Sequence, residues 1–73
     1  MNKNWVVLRS SSNFIEISLM RGLLESHQIA SIILNKQDSA YLAFGLIELH
    51  VKSEDFLRAN HIINKEAGEQ SDS

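Results

Sequence analysis

The sequence predicts an α+β domain whose elements follow the order strand, helix, strand, strand, helix. A helical pattern that starts at Asn13 passes directly into the apolar run 29–34, as expected for a helix that leads into a strand. In 46–51 every second residue is a branched apolar one, the period of a strand with one buried face, and a second helical pattern follows from Ser53. We therefore expect a three-stranded sheet with two helices on one face.

The first strand is expected at 5–8, a run of β-branched and aromatic side chains that ends in a serine-rich turn. Asn13 stands three residues before Glu16, the spacing of a capping box. In that motif the side chain of Asn13 accepts from an N–H of the first turn, and Glu16 reaches back to the N–H of Asn13. The first helix is therefore predicted to begin directly after Asn13.

The buried stripe of the first helix is assigned to Ile15, Leu19 and Leu23, which recur every four residues, with Met20 and Leu24 beside them. Gly22 costs about 1 kcal/mol relative to alanine inside a helix, and we interpret it as a point where the helix backbone approaches a strand. Gln28 follows the helix at a position that favours a left-handed glycine. This predicts strain in the C-terminal cap.

The second strand, 29–34, is apolar at nearly every position and is expected to be covered on both faces for part of its length. Its connection to the first strand is a crossover through a helix, which is right-handed in nearly all proteins and makes the two strands parallel. Room remains between them for the third strand, antiparallel to both. The predicted spatial order is therefore 1-3-2, with the first strand at an edge.

The second helix is expected to begin at Ser53, a favourable N-cap, and to end near residue 67. Its apolar stripe consists of Phe56, Ala59, Ile62 and Ile63. Residues 1–68 are assigned to a single domain. The polar tail 69–73 has nothing to bury and is predicted to be disordered.

Composition excludes several classes of function. Seven basic and nine acidic residues give a net charge of −2, which disfavours nucleic-acid binding by phosphate neutralisation. The chain has no cysteine, so it has neither disulfides nor a thiolate zinc site, and it carries no run long enough for a signal peptide or a membrane span. We expect a soluble cytoplasmic protein. A domain of this size is marginally stable alone, which makes oligomerisation a natural aid.

The side of the sheet away from the helices is the candidate contact surface. The residues assigned to the helix-facing side are Val6, Leu8, Ile32, Leu34, Ile47, Leu49 and Val51, and those assigned to the opposite side are Trp5, Val7, Arg9, Ser31, Ile33, Leu46, Glu48 and His50. About half of the opposite side is apolar, and small monomers seldom leave such a patch in water. The loop 35–45 either covers it or leaves it for self-association. The predicted surface comprises Trp5, Val7, Ile33, Tyr41, Phe44, Leu46, Glu48 and His50.

No catalytic or metal constellation accompanies these elements. The three histidines, His27, His50 and His61, include no pair four residues apart, and no serine stands in a nucleophile elbow. Glu48 and His50 share one face of the third strand and could transfer a proton or contact a ligand, although a solvated face is the more usual outcome. The sequence therefore predicts neither an enzyme nor a bound cofactor or metal.

Two sequence segments, together with the order of elements, resemble those of a known protein family. These are Glu16…Leu19…Gly22-Leu23-Leu24-Glu25…Ile29 and Glu48-Leu49-His50-Val51…Glu54-Asp55…Ala59…Ile62. Over about residues 5 to 66 the chain resembles a small bacterial family of unknown function labelled as putative prokaryotic signal-transducing proteins. The resemblance implies a ferredoxin-like fold related to PII-type regulators, and it transfers no catalytic residue. Gln28 departs from the glycine that is usual there.

These observations predict a non-catalytic interaction or regulatory module that acts through the sheet face and the loop 35–45. Its partner is expected to be another protein or a second copy of the chain, and neither nucleic acid nor a membrane. The alternative is a small-ligand sensor of PII type, with a pocket between the loop and a neighbouring subunit. An enzyme that uses Glu48 and His50 is a distant third hypothesis.

Overall fold

The computed structural model describes residues 4–36 and 46–66 and has the predicted order of elements. They are β1 (Trp5–Ser11), α1 (Phe14–Ser26), β2 (Ser31–Asn35), β3 (Ile47–Lys52) and α2 (Phe56–Glu66), the last preceded by a 3-10 turn at Ser53–Asp55. β3 lies between β1 and β2 and is antiparallel to both. The predicted strand order 1-3-2 and the α+β class are therefore confirmed, with β1 at one edge.

The core lies between the sheet and the two helices. Ile47, Leu49 and Val51 of β3 are fully buried, so the alternation in the sequence identified the inner face of the central strand correctly. The rest of the buried cluster consists of Leu8, Ile17, Leu24, Ile29, Ala59, Ile62 and Ile63. Because one cluster contains residues of both helices and of the sheet, both helices pack on the same face.

The prediction for the buried stripe of α1 is wrong for Ile15 and Leu19, whereas Met20, Leu23 and Leu24 contribute to the core as predicted. Ile15 and Leu19 are 69% and 70% exposed, whereas Ile17 and Leu24 are fully buried and Leu23 is only partly buried against the core. Both stripes are apolar and both have helical spacing, so periodicity does not choose between them. The choice follows from the end of the helix, where the N–H of Ile29 donates to the carbonyl of Leu24 at 2.9 Å and both side chains enter the core.

The interpretation of Gly22 is also wrong. Apart from its chain neighbours and the backbone of its own helix, a Cβ placed on Gly22 would meet no atom of the described residues within 4 Å, so none of the described strands approaches the helix at this point. Gly22 lies on the same exposed side of α1 as Leu19, three residues earlier. The glycine therefore weakens the helix without a packing benefit inside the described part of the chain.

α1 begins as predicted, with one change in the capping pattern. The side chain of Asn13 accepts from the N–H groups of Ile15 and Glu16 at 3.0 and 3.3 Å. Glu16 does not reach the N–H of Asn13; its carboxylate accepts from the hydroxyl of Ser11 at 2.8 Å, and the oxygen of Ser11 accepts from that N–H at 3.0 Å. The hydroxyl of Ser11 thus bridges the N–H of Asn13 and the carboxylate of Glu16, which would bond directly in a capping box, and it links the end of β1 to the helix.

The C-terminal end of α1 forms a Schellman motif. The N–H of Gln28 donates to Glu25 and that of Ile29 donates to Leu24, both at 2.9 Å, around the cap residue His27. Gln28 adopts a φ of 60°, the left-handed conformation predicted for this position. A residue with a Cβ is strained there, so Gln28 holds the turn at a cost of about 1–2 kcal/mol.

We expect Gln28→Gly to raise the free energy of unfolding by about 1 kcal/mol, because glycine adopts a positive φ without steric cost. Gln28→Ala is the matched control, since it removes the same side chain and keeps the Cβ. Urea unfolding of the three proteins measures the difference. Equal stability of the glycine and alanine variants would show that the backbone at residue 28 is not strained.

β1 contains a bulge that changes the direction of one predicted surface residue. Val7 pairs with His50 and Arg9 pairs with the next residue of β3, Leu49, so Leu8 is the extra residue. Arg9 was assigned to the side away from the helices, and this is wrong. Its guanidinium donates to the side-chain oxygens of Asn60 and Asn64 on α2, at 2.9 and 2.8 Å.

The faces of β2 are inverted relative to the prediction. Ile33 pairs with Leu49 and packs against the core, whereas Ile32 and Leu34 are 41% and 42% exposed on the opposite side. The expected coverage of this strand on both faces is therefore wrong for the described residues. A run that is apolar at every position carries no period, so its direction is set by the register with β3.

The start of α2 differs from the prediction, whereas its buried stripe does not. Ser53 belongs to the 3-10 turn instead of capping the helix, and its N–H donates to the carbonyl of Asn4 at 2.8 Å. Ala59, Ile62 and Ile63 are buried, and Phe56 packs against the core. The predicted tail 69–73 lies outside the described residues.

Candidate functional site

The side of the sheet away from the helices, called here the outer sheet face, carries a compact group of side chains. It consists of Trp5, Val7, Ser10, Ile32, Leu34, Glu48, His50 and Lys52. His50 of β3 stands at its centre, with Val7 directly opposite in β1 and Ile32 directly opposite in β2. The face is therefore a polar central strand between two apolar margins.

The structure brings together only part of the predicted surface. Trp5, Val7, Glu48 and His50 lie on the outer sheet face, and Leu46, 44% exposed, lies just before β3. Ile33 was placed on this face and is wrong, because its side chain packs against the core. The other two residues of the prediction, Tyr41 and Phe44, lie outside the described residues.

Five residues of the outer sheet face and its margin were not predicted to belong to it. Ser10 was assigned to the turn after the first strand, Ile32 and Leu34 were assigned to the other side of β2, and Lys36 and Lys52 received no role. The signal for Lys36 lies in the pairing at the end of the hairpin, where its N–H donates to the carbonyl of Leu46 at 3.0 Å. That pairing brings the Lys36 side chain beside Glu48. Because the two residues are far apart in the sequence, local sequence patterns do not predict this contact.

The polar centre of the face is a linked group of three side chains. His50 Nε2 lies 3.0 Å from Glu48 Oε1, and Lys36 Nζ lies 3.5 Å from the same oxygen. The His50 side chain is only 13% exposed, so much of its ring is shielded from water. The hydrogen bond from His50 lowers the pKa of Glu48, and the positive charge of Lys36 lowers it further against the opposing effect of burial. Glu48 is therefore held as a carboxylate.

His50→Ala is expected to raise the pKa of Glu48 towards its ordinary value, because the hydrogen bond from His50 is the largest cause of the shift. NMR titration of the Glu48 side-chain carboxyl carbon in both proteins measures this. The lowered pKa also means that Glu48 stabilises the fold above its unfolded pKa and loses that contribution as the pH falls through the folded value. An identical titration midpoint in the two proteins would contradict the assigned contact.

The apolar residues of the face form two margins, one on each side of the polar strand β3. Trp5, Val7, Ile32 and Leu34 are between 38% and 44% exposed, and each stands beside the polar strand in the pairing register. The most exposed apolar residues elsewhere are Phe14, Ile15, Leu19 and Leu57, on the two helices. Exposed apolar residues are common on protein surfaces, and several of them grouped on one face of a sheet indicate a candidate contact surface.

The described residues form neither a metal-binding cluster nor a pocket of the usual ligand size. No three histidine or acidic side chains among residues 4–36 and 46–66 are grouped so that they could hold a metal ion. A depression lined by Asn4, Lys52, Ser53 and Glu54 measures about 210 Å³, whereas ligand pockets usually measure about 300–1,000 Å³. The outer sheet face is therefore the strongest candidate site.

Comparison with known proteins adds the family. None of the helices in the described residues has the length and apolar character needed to cross a membrane. No match was found to a curated protein or to a solved structure. The sequence model of one family, described as "Putative prokaryotic signal transducing protein", matches residues 5–67. Because this match covers most of the chain, the protein is a member of that family.

Proposed function

We propose that the protein is a non-catalytic interaction module of a signalling system in the cytoplasm, and that it binds a protein partner through the outer sheet face. The observation that carries this proposal is the position of two apolar margins, one on each side of the Glu48–His50 pair. The description of the family as signal transducing agrees with a protein that acts by contact.

The composition of the face suits protein recognition. Interfaces are enriched in aromatic residues, and Trp5 supplies a large side chain that is already half-buried at the margin of the sheet. Glu48 and His50 are held by their mutual hydrogen bond, so they present fixed polar groups to a partner at little cost in side-chain entropy. The apolar margins provide affinity, and the central pair provides orientation.

The same geometry argues against catalysis as the main role. Glu48 and His50 form an acid–base pair, but a general base also needs a reacting group or a nucleophile in reach. Their nearest neighbours across the sheet are Val7, Ile32, Ser10 and Leu34. Of these only Ser10 carries a reactive group, and it stands opposite Glu48 without a hydrogen bond to it in the described contacts.

A small-ligand sensor of PII type is the second candidate. The observation that favours it is the convergence of Lys36, Glu48 and His50, because a charged group on a ligand could exchange partners with this cluster. A panel of nucleotides and metabolites tested by thermal shift measures this directly, since a ligand that binds only the folded state raises the melting temperature. Stabilisation that is lost in Lys36→Ala would favour the sensor over the interaction module.

The interaction module is tested by affinity capture from the lysate of the native host with three immobilised proteins. Val7→Lys places a charge beside His50 in the β1 margin of the outer sheet face, whereas Leu57→Lys places the same charge on α2, at a residue that is 80% exposed. We expect wild type and Leu57→Lys to retain the same protein and Val7→Lys to lose it. The melting curve of each variant serves as the control for folding.

Two results would overturn the proposal. Capture that is unaffected by Val7→Lys, with both variants folded, would remove the outer sheet face from the interaction. Capture that is lost in Leu57→Lys alone would move the contact to the helical side of the domain.

A further inference from the structure

We infer that the outer sheet face also binds a second copy of this chain, with the two faces packed against each other about a two-fold axis that crosses the strands at His50. This inference rests on the proposed function, because it assigns a partner to the same surface. Two observations support it. The charges along β3 are complementary to themselves, and the two edge strands are poorly suited to pairing with another strand.

The outward residues of β3 form a charge pattern that is complementary to itself. Glu48 and Lys52 lie two positions before and after His50, on the same face of the strand. A two-fold axis perpendicular to the strands at His50 places Glu48 of each copy against Lys52 of the other. Self-complementarity of this kind is what a symmetric dimer requires. An axis along the strands would instead place Glu48 against Glu48, which is repulsive.

Both charged groups are available for such a pair. The contacts of Glu48 with His50 and Lys36 use Oε1, which leaves Oε2 for a further donor. Lys52 is exposed and makes no ion pair with any of the described residues. The carboxylate is fixed before association, so only the Lys52 side chain has to lose conformational freedom when the pair forms.

The apolar margins fit the same axis. Val7 and Ile32 are level with His50 in the register, one on each side. The axis therefore stacks Val7 on Val7 and Ile32 on Ile32 of the second copy, at the spacing of about 10 Å that stacked sheets adopt. The four side chains flank His50 of both copies and form the apolar centre of the contact, between the two charged pairs.

Pairing through the sheet edges is less favourable than pairing through the face. β1 is an edge, but its bulge at Leu8 interrupts the regular row of N–H and C=O groups that a second strand would need. β2, the other edge, has only five residues. Bulges and short strands are the usual means by which edges avoid pairing.

The size of the face predicts a weak dimer. Three strands about 4.8 Å apart and about 20 Å long present only about 300 Å² for each copy, less than the roughly 800 Å² per partner of a standard stable interface. The association is therefore reversible and visible only at high protein concentration. Such a contact suits a surface that exchanges between a second copy and another partner.

The test uses two variants in which the paired charges have the same sign, so that two copies of the same variant repel each other. Glu48→Lys makes both positions positive, and Lys52→Glu makes both negative. We expect each variant alone to associate about tenfold more weakly than wild type, while an equimolar mixture of the two associates at least as well as wild type. Sedimentation velocity across protein concentration measures the association, and melting curves check that each variant is folded.

Val7→Lys provides a second variant, which leaves the two charges intact and should remove the association of the wild-type chain. The inference is overturned if wild type remains monomeric at every concentration, or if the mixture associates no better than its components. It is also overturned if Val7→Lys associates as wild type does. A monomeric wild type that still captures a host protein in a Val7-dependent manner would reject the dimer and leave the proposed function standing.

Discussion

Leu24→Ala is expected to lower the free energy of unfolding by about 2–5 kcal/mol, which approaches the total stability of a domain of this size. Leu24 is fully buried and belongs to the single core cluster. It also accepts the N–H of Ile29 that closes the Schellman motif, so a cavity at this point would loosen the link from α1 to β2. Urea unfolding followed by circular dichroism measures the loss.

The matched control for this prediction is Leu19→Ala. The substitution is chemically identical and lies in the same helix, but Leu19 is 70% exposed, so we expect a change within about 0.5 kcal/mol. A greater loss for Leu19→Ala than for Leu24→Ala would mean that α1 is rotated about its axis and buries the stripe of Ile15 and Leu19 after all.

Ile33→Asn is expected to be the next most damaging change, with a loss of about 2–4 kcal/mol. The side chain of Ile33 packs against the core opposite Leu49, and an amide placed there would be buried without a guaranteed partner. Ile32→Asn makes the same substitution one residue earlier, on the outer sheet face. There the cost is limited to the lower β-propensity of asparagine, at most about 1 kcal/mol.

The comparison of these two variants tests the register of β2. A shift of one residue would exchange the faces of the whole strand, and Ile32→Asn would then be the damaging change. Thermal unfolding monitored at several wavelengths compares both variants with wild type under one set of conditions.

The sequence predicted the fold where its local signals were unambiguous. β3 alternates strictly, so its inner face followed from Ile47, Leu49 and Val51. The cap at Asn13 and the left-handed residue Gln28 have strong stereochemical preferences that act over three or four residues. The strand order followed from the handedness of the crossover connection.

The prediction failed where apolar residues occupied both possible faces. α1 has two apolar stripes and β2 is apolar throughout, so burial alone did not decide which side chains point inward. In both elements the decision comes from contacts between distant parts of the chain: the register of β2 with β3, and the packing of Ile29 beside Leu24. A sequence without aligned relatives contains little information about either contact.

The candidate site was predicted in part for the same reasons. Glu48 and His50 were placed correctly because they follow from the period of β3, and their hydrogen bond is a direct result of sharing one face. Ile32 and Leu34 were missed with the inversion of β2. Arg9 was misplaced because a bulge adds one residue to β1, and no local sequence signal marks its position.

The central claim that the outer sheet face binds a second copy of the chain is tested most directly by an NMR measurement of methyl chemical shifts as the concentration of the wild-type protein is raised. The outer sheet face and the exposed side of α1 both carry isoleucine or leucine methyl groups, so one spectrum reports on both surfaces. The account predicts progressive shifts at Val7, Ile32 and Leu34, with the signals of Ile15 and Leu19 unchanged. Shifts confined to Ile15 and Leu19, or no shift at any concentration, would contradict it.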